Sequence, residues 1–368
     1  MSTTLTNISL SLKPRNSYYC SLKLTAKRLL RSSMLAILLG LSSAALGDGT
    51  ILLYHHVAIN TPPTTSISPA DFQLHLEYLR DNEFNVMPLD MMIESLKSGE
   101  SIPDKSVAIT FDDGYISIFE EAFPLLQSFG FPFALFVSTE PIDNEQAYYM
   151  NWGQIRDIAN AGALIANHMI DHPYMLATRE GESTMELVAR HRQDLLFAEE
   201  RILKETGQSH RYLAYPYGEF NPAIKQMLAE EGFVGLAQNS GAVGTNSDFL
   251  ALPRYPLASI YADLDTARTK LDTLAFNTKI IEPLSPVTMN RSPAITLQFS
   301  AGNYNLPEIG CFANSRPIPM NWLDRGAGIV RLEPTEEYSG RRWRYICTAP
   351  AANNRYYWYS AQWIFLGE

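Results

Sequence analysis

Cysteine is scarce in this chain, at 3 among 368 residues. Cys20 lies in the amino-terminal leader, which leaves Cys311 and Cys347, and neither has a histidine near it in sequence. Cysteine therefore has no part here as metal ligand or nucleophile. The remaining pair can form one bridge or stand as two unconnected buried thiols, and an oxidising compartment permits the bridge. Positive charge is also short: 29 Lys and Arg against 39 Asp and Glu, a formal net charge of -10. That balance argues against nucleic acid and against a basic membrane-binding surface. The apolar run Met34–Leu41 is too short to span a bilayer comfortably. Lys13, Arg15, Lys23, Lys27, Arg28 and Arg31 precede it, and Ser42, Ser43, Ala44 and Ala45 follow it before Gly47. This is the pattern of a secretory signal over residues 1–47, cleaved near Ala45 or Gly47 to release a periplasmic or secreted protein. An uncleaved membrane anchor is the alternative.

The length suits a large α/β domain with a small companion. Apolar runs at Ile51–Leu53, Val107–Phe111, Phe133–Ser138 and Phe233–Ala237 read as strands. Between them, Pro69–Asn82, Ser117–Phe129, Trp152–Ala161, Ser183–Thr206 and Pro222–Glu231 read as helices, and His191 on the longest reads as a solvated helix residue. Such alternation predicts a mainly parallel sheet.

The strand Ser106–Phe111 ends in Asp112-Asp113-Gly114, so two carboxylates sit at a strand's carboxyl end, where active sites of α/β folds collect. Neighbouring carboxylates repel, and a metal ion resolves the conflict by taking one as ligand and leaving the other to accept a proton. A plain turn with a helix cap is the other reading of the tripeptide. His168 and His172 stand at i and i+4, a spacing that on a helical turn brings both imidazoles to one ion. With Asp113 they make an Asp-His-His set that leaves positions open for water and substrate.

Thr110-Phe111-Asp112-Asp113-Gly114 and the two histidines resemble the motifs of the polysaccharide deacetylases with a NodB-homology domain, carbohydrate esterase family 4. Met169 stands where that family usually has Ser or Thr. The third motif reads Ala214-Tyr215-Pro216-Tyr217-Gly218, without the usual arginine, and this is similar to the poly-N-acetylglucosamine deacetylase branch of PgaB and IcaB type. That branch carries its catalytic histidine near the amino end of the domain. Ile51–Val57, with Tyr54-His55-His56, fits it, and His55 matches the general acid. His56, next along a strand, faces away.

The resemblance implies a distorted, incomplete (β/α) barrel over residues 48–282. It implies a divalent metal, zinc with cobalt or nickel as alternatives, on Asp113, His168 and His172. Asp112 is the implied base, His55 the acid, and the Tyr217 backbone N–H the oxyanion donor. The absent motif arginine leaves Asp112 without its usual partner, and Arg254, set between Pro253 and Pro256, is the candidate replacement, a surface arginine being the competing account. The implied substrate is an acetylated polysaccharide or oligosaccharide carrying N-acetylglucosamine; an O-acetyl esterase and a non-catalytic carbohydrate binder are the alternatives. Pro283, Pro286 and Pro293 break the pattern, and the short strands beyond predict a small β-sandwich over 283–368. Within it Tyr356–Phe365 reads as a core strand with alternate aromatics buried, sugar stacking being the alternative.

Overall fold

The computed structural model describes residues 47–367. The expected signal and Cys20 lie outside the described residues. Among those described, no helix is long and apolar enough to cross a membrane.

Nine strands form the main sheet: β1 (Gly49–Tyr54), β2 (Asn85–Val86), β3 (Ser106–Phe111), β4 (Phe133–Val137), β5 (Leu164–Asn167), β6 (Tyr212–Ala214), β7 (Val234–Leu236), β8 (Ala242–Val243) and β9 (Tyr255–Pro256). Its principal order is β8-β1-β3-β4-β5-β6-β7, with β2 beside β3 and β9 beside β1. From β1 to β7 every neighbouring pair on this path is parallel. All six residues of β1 and of β3 are buried, which explains their mostly apolar sequence: helices cover the outside of the sheet and the barrel core fills its inside.

The sheet curls until its two ends share one segment. Ala237 N–H donates to Leu252 O at 2.8 Å on the β7 side, while Leu52 pairs with Tyr255 and Leu257 N–H donates to Leu53 O at 3.0 Å on the β1 side. Residues 252–257 thus span the gap of an incomplete barrel.

The covering helices are α1 (Pro69–Asp81), α2 (Leu89–Ser98), α3 (Phe123–Phe129), α4 (Thr139–Asp143), α5 (Trp152–Asn160), α6 (Thr184–Thr206), α7 (Pro222–Glu230) and α8 (Leu264–Leu271). The longest, α6, starts at a capping box of Ser183 and Glu186 and stops at Gly207, whose φ of 74° is left-handed. Both ends thus follow the usual rules for starting and stopping a helix. The helix expected from Ser117 opens instead with a π turn, Ile118–Ala122. Pro124, which lacks an N–H for the regular ladder, follows directly. His191 corrects an expectation too. It is wholly buried, and its Nε2 lies 3.1 Å from Met175 O, because the loop before α6 folds over this face.

Two further sheets follow. One joins β10 (Leu274–Ala275), β12 (Val287–Thr288), β14 (Gly310–Ala313), β15 (Arg316–Pro317), β18 (Arg342–Pro350) and β19 (Tyr356–Phe365). The other joins β11 (Thr278–Glu282), β13 (Ile295–Phe299), β16 (Met320–Asp324) and β17 (Ile329–Leu332). Leu297, Phe299 and Val330 from one sheet share a core with Tyr345, Trp363 and Phe365 from the other, a sandwich. Cys311 and Cys347 sit opposite each other on β14 and β18 and are joined by a disulfide. The last strand, β19, departs from simple alternation because both its faces are covered: Trp363 enters the sandwich core, while Ile364 packs with Leu213, Tyr215 and Met227 of the barrel.

Candidate active site

Parallel strands put their carboxyl ends at one rim, and the site grows from four of them. His55 follows β1, Asp112 and Asp113 follow β3, His168 follows β5, and the turn with Tyr217 follows β6. The rim backbone is strained: φ is 74° at Asp113, 67° at Met169, 52° at His172 and 56° at Tyr217. All four occupy the left-handed region that non-glycine residues avoid.

Asp113, His168 and His172 come together, each offering one atom, with those atoms all within 4.8 Å of one another. The histidines do so on an irregular loop, not on the helical turn expected. Asn167 builds that loop: its Oδ1 accepts from Met169 N–H at 2.8 Å, and its Nδ2 donates to Leu195 O and Glu199 at 3.0 and 3.1 Å. Met169 is fully buried, so where the family motif has a hydroxyl this chain uses apolar packing.

The chemistry of this donor set calls for a cation. His168 Nδ1 lies 2.7 Å from Ala214 O. A carbonyl can only accept, so Nδ1 carries a proton and Nε2 is the ring's free position. That Nε2 is buried without a hydrogen-bond partner, 3.3 Å from Asp113 Oδ1, and His172 Nε2 is 3.4 Å from the same oxygen. Burial opposes charge on His168, but the Asp112 and Asp113 carboxylates outweigh it and raise its pKa, so this Nε2 attracts positive charge, proton or metal. Nitrogens converging on a buried carboxylate fit a divalent metal. Burial alone would push the Asp113 carboxyl up, yet the adjacent His168 holds it well below the usual carboxylate range. Burial and the neighbouring His168 push His172 down to about 4, so its imidazole is neutral. A histidine ligand must be neutral to offer its lone pair.

Asp112 is wholly buried, and so is Arg254. Arg254 Nη1 and Nη2 donate to Asp112 Oδ1 and Oδ2, each at 2.7 Å. The guanidinium is itself held, Nε donating to Ala237 O at 3.0 Å and Nη1 to Thr110 Oγ1 at 3.3 Å. Burial pushes the Asp112 carboxyl up; the charges of Arg254 and His168 more than reverse this, keeping it ionised. A buried bidentate pair, not a surface arginine, is what the segment 252–257 delivers.

His55 is half-buried and close enough to act electrostatically on Asp112, Asp113 and His172. His56 is buried and stacks on Tyr115, ring centroids 3.7 Å apart, and it too lies within electrostatic reach of Asp113. The Tyr217 ring meets His172 edge-on at 4.3 Å and stacks on Tyr174 at 4.0 Å. Tyr174, Arg341, Arg342 and Gln362 border this rim although sequence reading missed them. No local pattern marks them, because they arrive from a loop tip and from the sandwich.

Residues 99–236 match the family described as Polysaccharide deacetylase. The chain carries a polysaccharide deacetylase domain. The domain holds the TFDDG residues and both loop histidines, while His55 and Arg254 fall on either side of the matched span. Poly-beta-1,6-N-acetyl-D-glucosamine N-deacetylase of Escherichia coli K12 is 23% identical over 229 residues, covering 53% of this chain and 34% of that protein. The protein of the same name from Staphylococcus aureus MRSA252 is 25% identical over 197 residues, 51% of this chain and 67% of its own length. The chain thus spans about a third of the length of the first and two thirds of the second. Among solved structures, Streptococcus pyogenes deacetylase PplD in complex with acetate gives a TM-score of 0.55 at 20% identity, covering 61% of this chain and 98% of that one. IcaB from Ammonifex degensii gives 0.54 at 24% identity, with 62% and 98% covered. These likenesses establish the fold of the deacetylase domain.

Proposed function

We propose that the chain is a metal-dependent hydrolase removing N-acetyl groups from an N-acetylglucosamine polysaccharide, of poly-N-acetylglucosamine or chitin-like type. The observation that carries this is the buried, convergent donor set of Asp113, His168 and His172 beside the locked Asp112–Arg254 pair. The names of the relatives from Escherichia coli and Staphylococcus aureus support the substrate class.

Asp113, His168 and His172 would hold the divalent cation, zinc in this reading, with cobalt or nickel suiting the same donors. When bound, it supplies Lewis-acid chemistry, acidifying a water and polarising the acetyl carbonyl. The remaining work falls to the protein. Asp112 accepts the proton of the attacking water, using the lone pairs that Arg254 leaves free on its two oxygens. The Tyr217 backbone N–H donates to the oxygen that gains negative charge. His55 gives a proton to the departing amine, which is a poorer leaving group than an alcohol. A built-in acid therefore favours amide over ester substrates and argues against an O-acetyl esterase.

Residues 1–47 are read as an export signal, which would send the enzyme to the periplasm or outside the cell. We also set the division between the catalytic part and the sandwich at about Leu274, since β10 and β11 already belong to the sandwich sheets.

The test is acetate release by the zinc-loaded chain on defined N-acetylglucosamine oligomers and on acetylated xylan. Release from the oligomers that disappears in Asp112→Asn supports the reading. Release from xylan alone, or no release by a fully metal-loaded wild type, refutes it.

A further inference from the structure

Three consecutive residues of the turn after β6 are each held by a side chain of the sandwich. Arg342 Nη1 donates to Tyr217 O, Gln362 Nε2 donates to Gly218 O at 2.6 Å, and Arg341 forms a bidentate pair with Glu219 at 2.6 and 2.9 Å. The Glu219 carboxylate is wholly buried, with Arg342 also 3.8 Å away. Among the described residues, the barrel supplies two backbone bonds within this turn, Gly218 N–H to Tyr215 O at 2.8 Å and Glu219 N–H to Pro216 O at 3.1 Å.

We propose that Arg341, Arg342 and Gln362 are positioning residues for the active site: the sandwich fixes the turn that presents the Tyr217 N–H to the reacting carbonyl. The inference rests on the deacetylase reading of Tyr217.

The turn needs external support. Tyr217 sits at a φ of 56°. That conformation is strained for an L residue, and such a residue persists only where its surroundings over-determine it. Gly218 follows at a φ of 70°, and a Cβ there would lie 2.9 Å from Gln238 Cβ. The backbone therefore runs close against its neighbour, as only glycine allows. A backbone donor stabilises developing charge only when its direction is set beforehand. The contacts to Tyr217 O and Gly218 O fix the two peptide planes that follow that N–H, while the plane that carries it is tied through Pro216 O to the N–H of Glu219, the residue Arg341 holds.

The same residues reach the ring of Tyr217. Arg342 lies 5.2 Å from its centroid, and Arg341 lies 4.9 Å from that of Tyr174, which stacks on Tyr217 at an interplanar angle of 6°. Both guanidinium groups are thus within cation–π range of the stacked pair. Tyr217 in turn abuts His172. The clamp is anchored independently of the turn: Asn239 Nδ2 donates to Ser360 O at 3.1 Å, Arg344 Nη1 donates to Gln238 O at 3.3 Å, and Ile364 packs in the barrel cluster. Loss of Arg342 and Gln362 would therefore free the turn without detaching the sandwich. Arg341 is a poor first target, because its removal strands a buried carboxylate.

The experiment compares the full chain with Arg342→Met, Gln362→Met and the double variant. Steady-state kinetics on N-acetylglucosamine oligomers, bound metal, thermal unfolding and hydrogen exchange of the peptide covering 212–221 are measured. The double variant is expected to lose about tenfold or more in kcat with KM within about twofold, by loss of an aimed oxyanion donor. It keeps its metal and melting midpoint and exchanges faster at 215–219. Arg342→Lys, which can still donate to one carbonyl, recovers part of kcat. An unchanged kcat, or a loss that merely tracks metal content or melting, overturns the positioning role. If wild type releases no acetate, the functional reading falls, and exchange still decides the clamp: unchanged protection at 215–219 overturns it.

Discussion

Arg254 and Asp112 lock together through two parallel hydrogen bonds of 2.7 Å, both side chains shielded from water, across 142 positions of sequence. The arginine of the pair is itself fixed, because Thr110 and Ala237 hold the guanidinium from the two sides of the barrel gap. Each partner offsets a desolvation cost that it would otherwise leave on the other.

Arg254→Met therefore leaves a buried carboxylate uncompensated. It should cost about 3–5 kcal/mol in unfolding free energy. Adding Asp112→Asn should restore part of that stability while leaving the chain inactive. Denaturant unfolding of the two single variants and the double variant checks this; additive losses would mean the residues do not act as a pair.

The proposed function predicts that metal binding tells the two adjacent aspartates apart. Wild type should take up one zinc ion per chain, and Asp113→Asn or His172→Gln should abolish tight binding. Asp112→Asn should retain it. Elemental analysis after dialysis reads this directly. Zinc should also raise the unfolding free energy by about 2.7 kcal/mol at a hundredfold excess over Kd, a gain that chelation removes.

His75 makes stability sensitive to acid. Its ring is buried in the core with Nδ1 3.0 Å from the Tyr54 hydroxyl, and burial pushes its pKa down to about 4. An unfolded histidine takes up a proton below about 6.5, so between that value and the folded one the unfolded chain binds more protons than the native chain. Stability should fall as pH drops through that window and be insensitive to this group above it. The loss is on the order of 2 kcal/mol by about pH 4.5. His75→Gln should remove that part of the pH dependence. Parallel curves for variant and wild type between about pH 7 and 4.5 would show that His75 contributes none of it.

The bridge between Cys311 and Cys347 closes a loop of sequence separation 36 within the sandwich. Replacing both cysteines by alanine should cost about 3 kcal/mol. Unfolding of the sandwich, followed by tryptophan fluorescence with and without reductant, measures it. An unchanged midpoint in reductant would show that the bridge adds nothing.

Strands β1, β3 and β4 were legible because a parallel strand buried on both faces is apolar along most of its length. The helix α6 was legible from its length and Ser183 start. The candidate donor set was readable because Asp113 and His168 stand just past strand ends and His172 follows His168 at i+4, but the geometry was not: nothing local says that Asn167 folds the histidine loop without a helix. Arg254 could be nominated only by an absence elsewhere, since its reach depends on how the barrel closes. Arg341 and Gln362 were invisible, as their partners lie 122 and 144 positions away.

The shared segment 252–257 has a consequence for how the molecule comes into being. During synthesis Asp112 emerges 142 residues before Arg254, and β1 waits still longer for β9. Until the later segment arrives, an acidic pair stands in a half-built sheet whose free edge invites the wrong neighbour. The Asp112–Arg254 pair and the closing of the barrel gap both wait on that one segment, so a chain truncated before residue 252 is expected to keep an unpaired sheet edge and to aggregate.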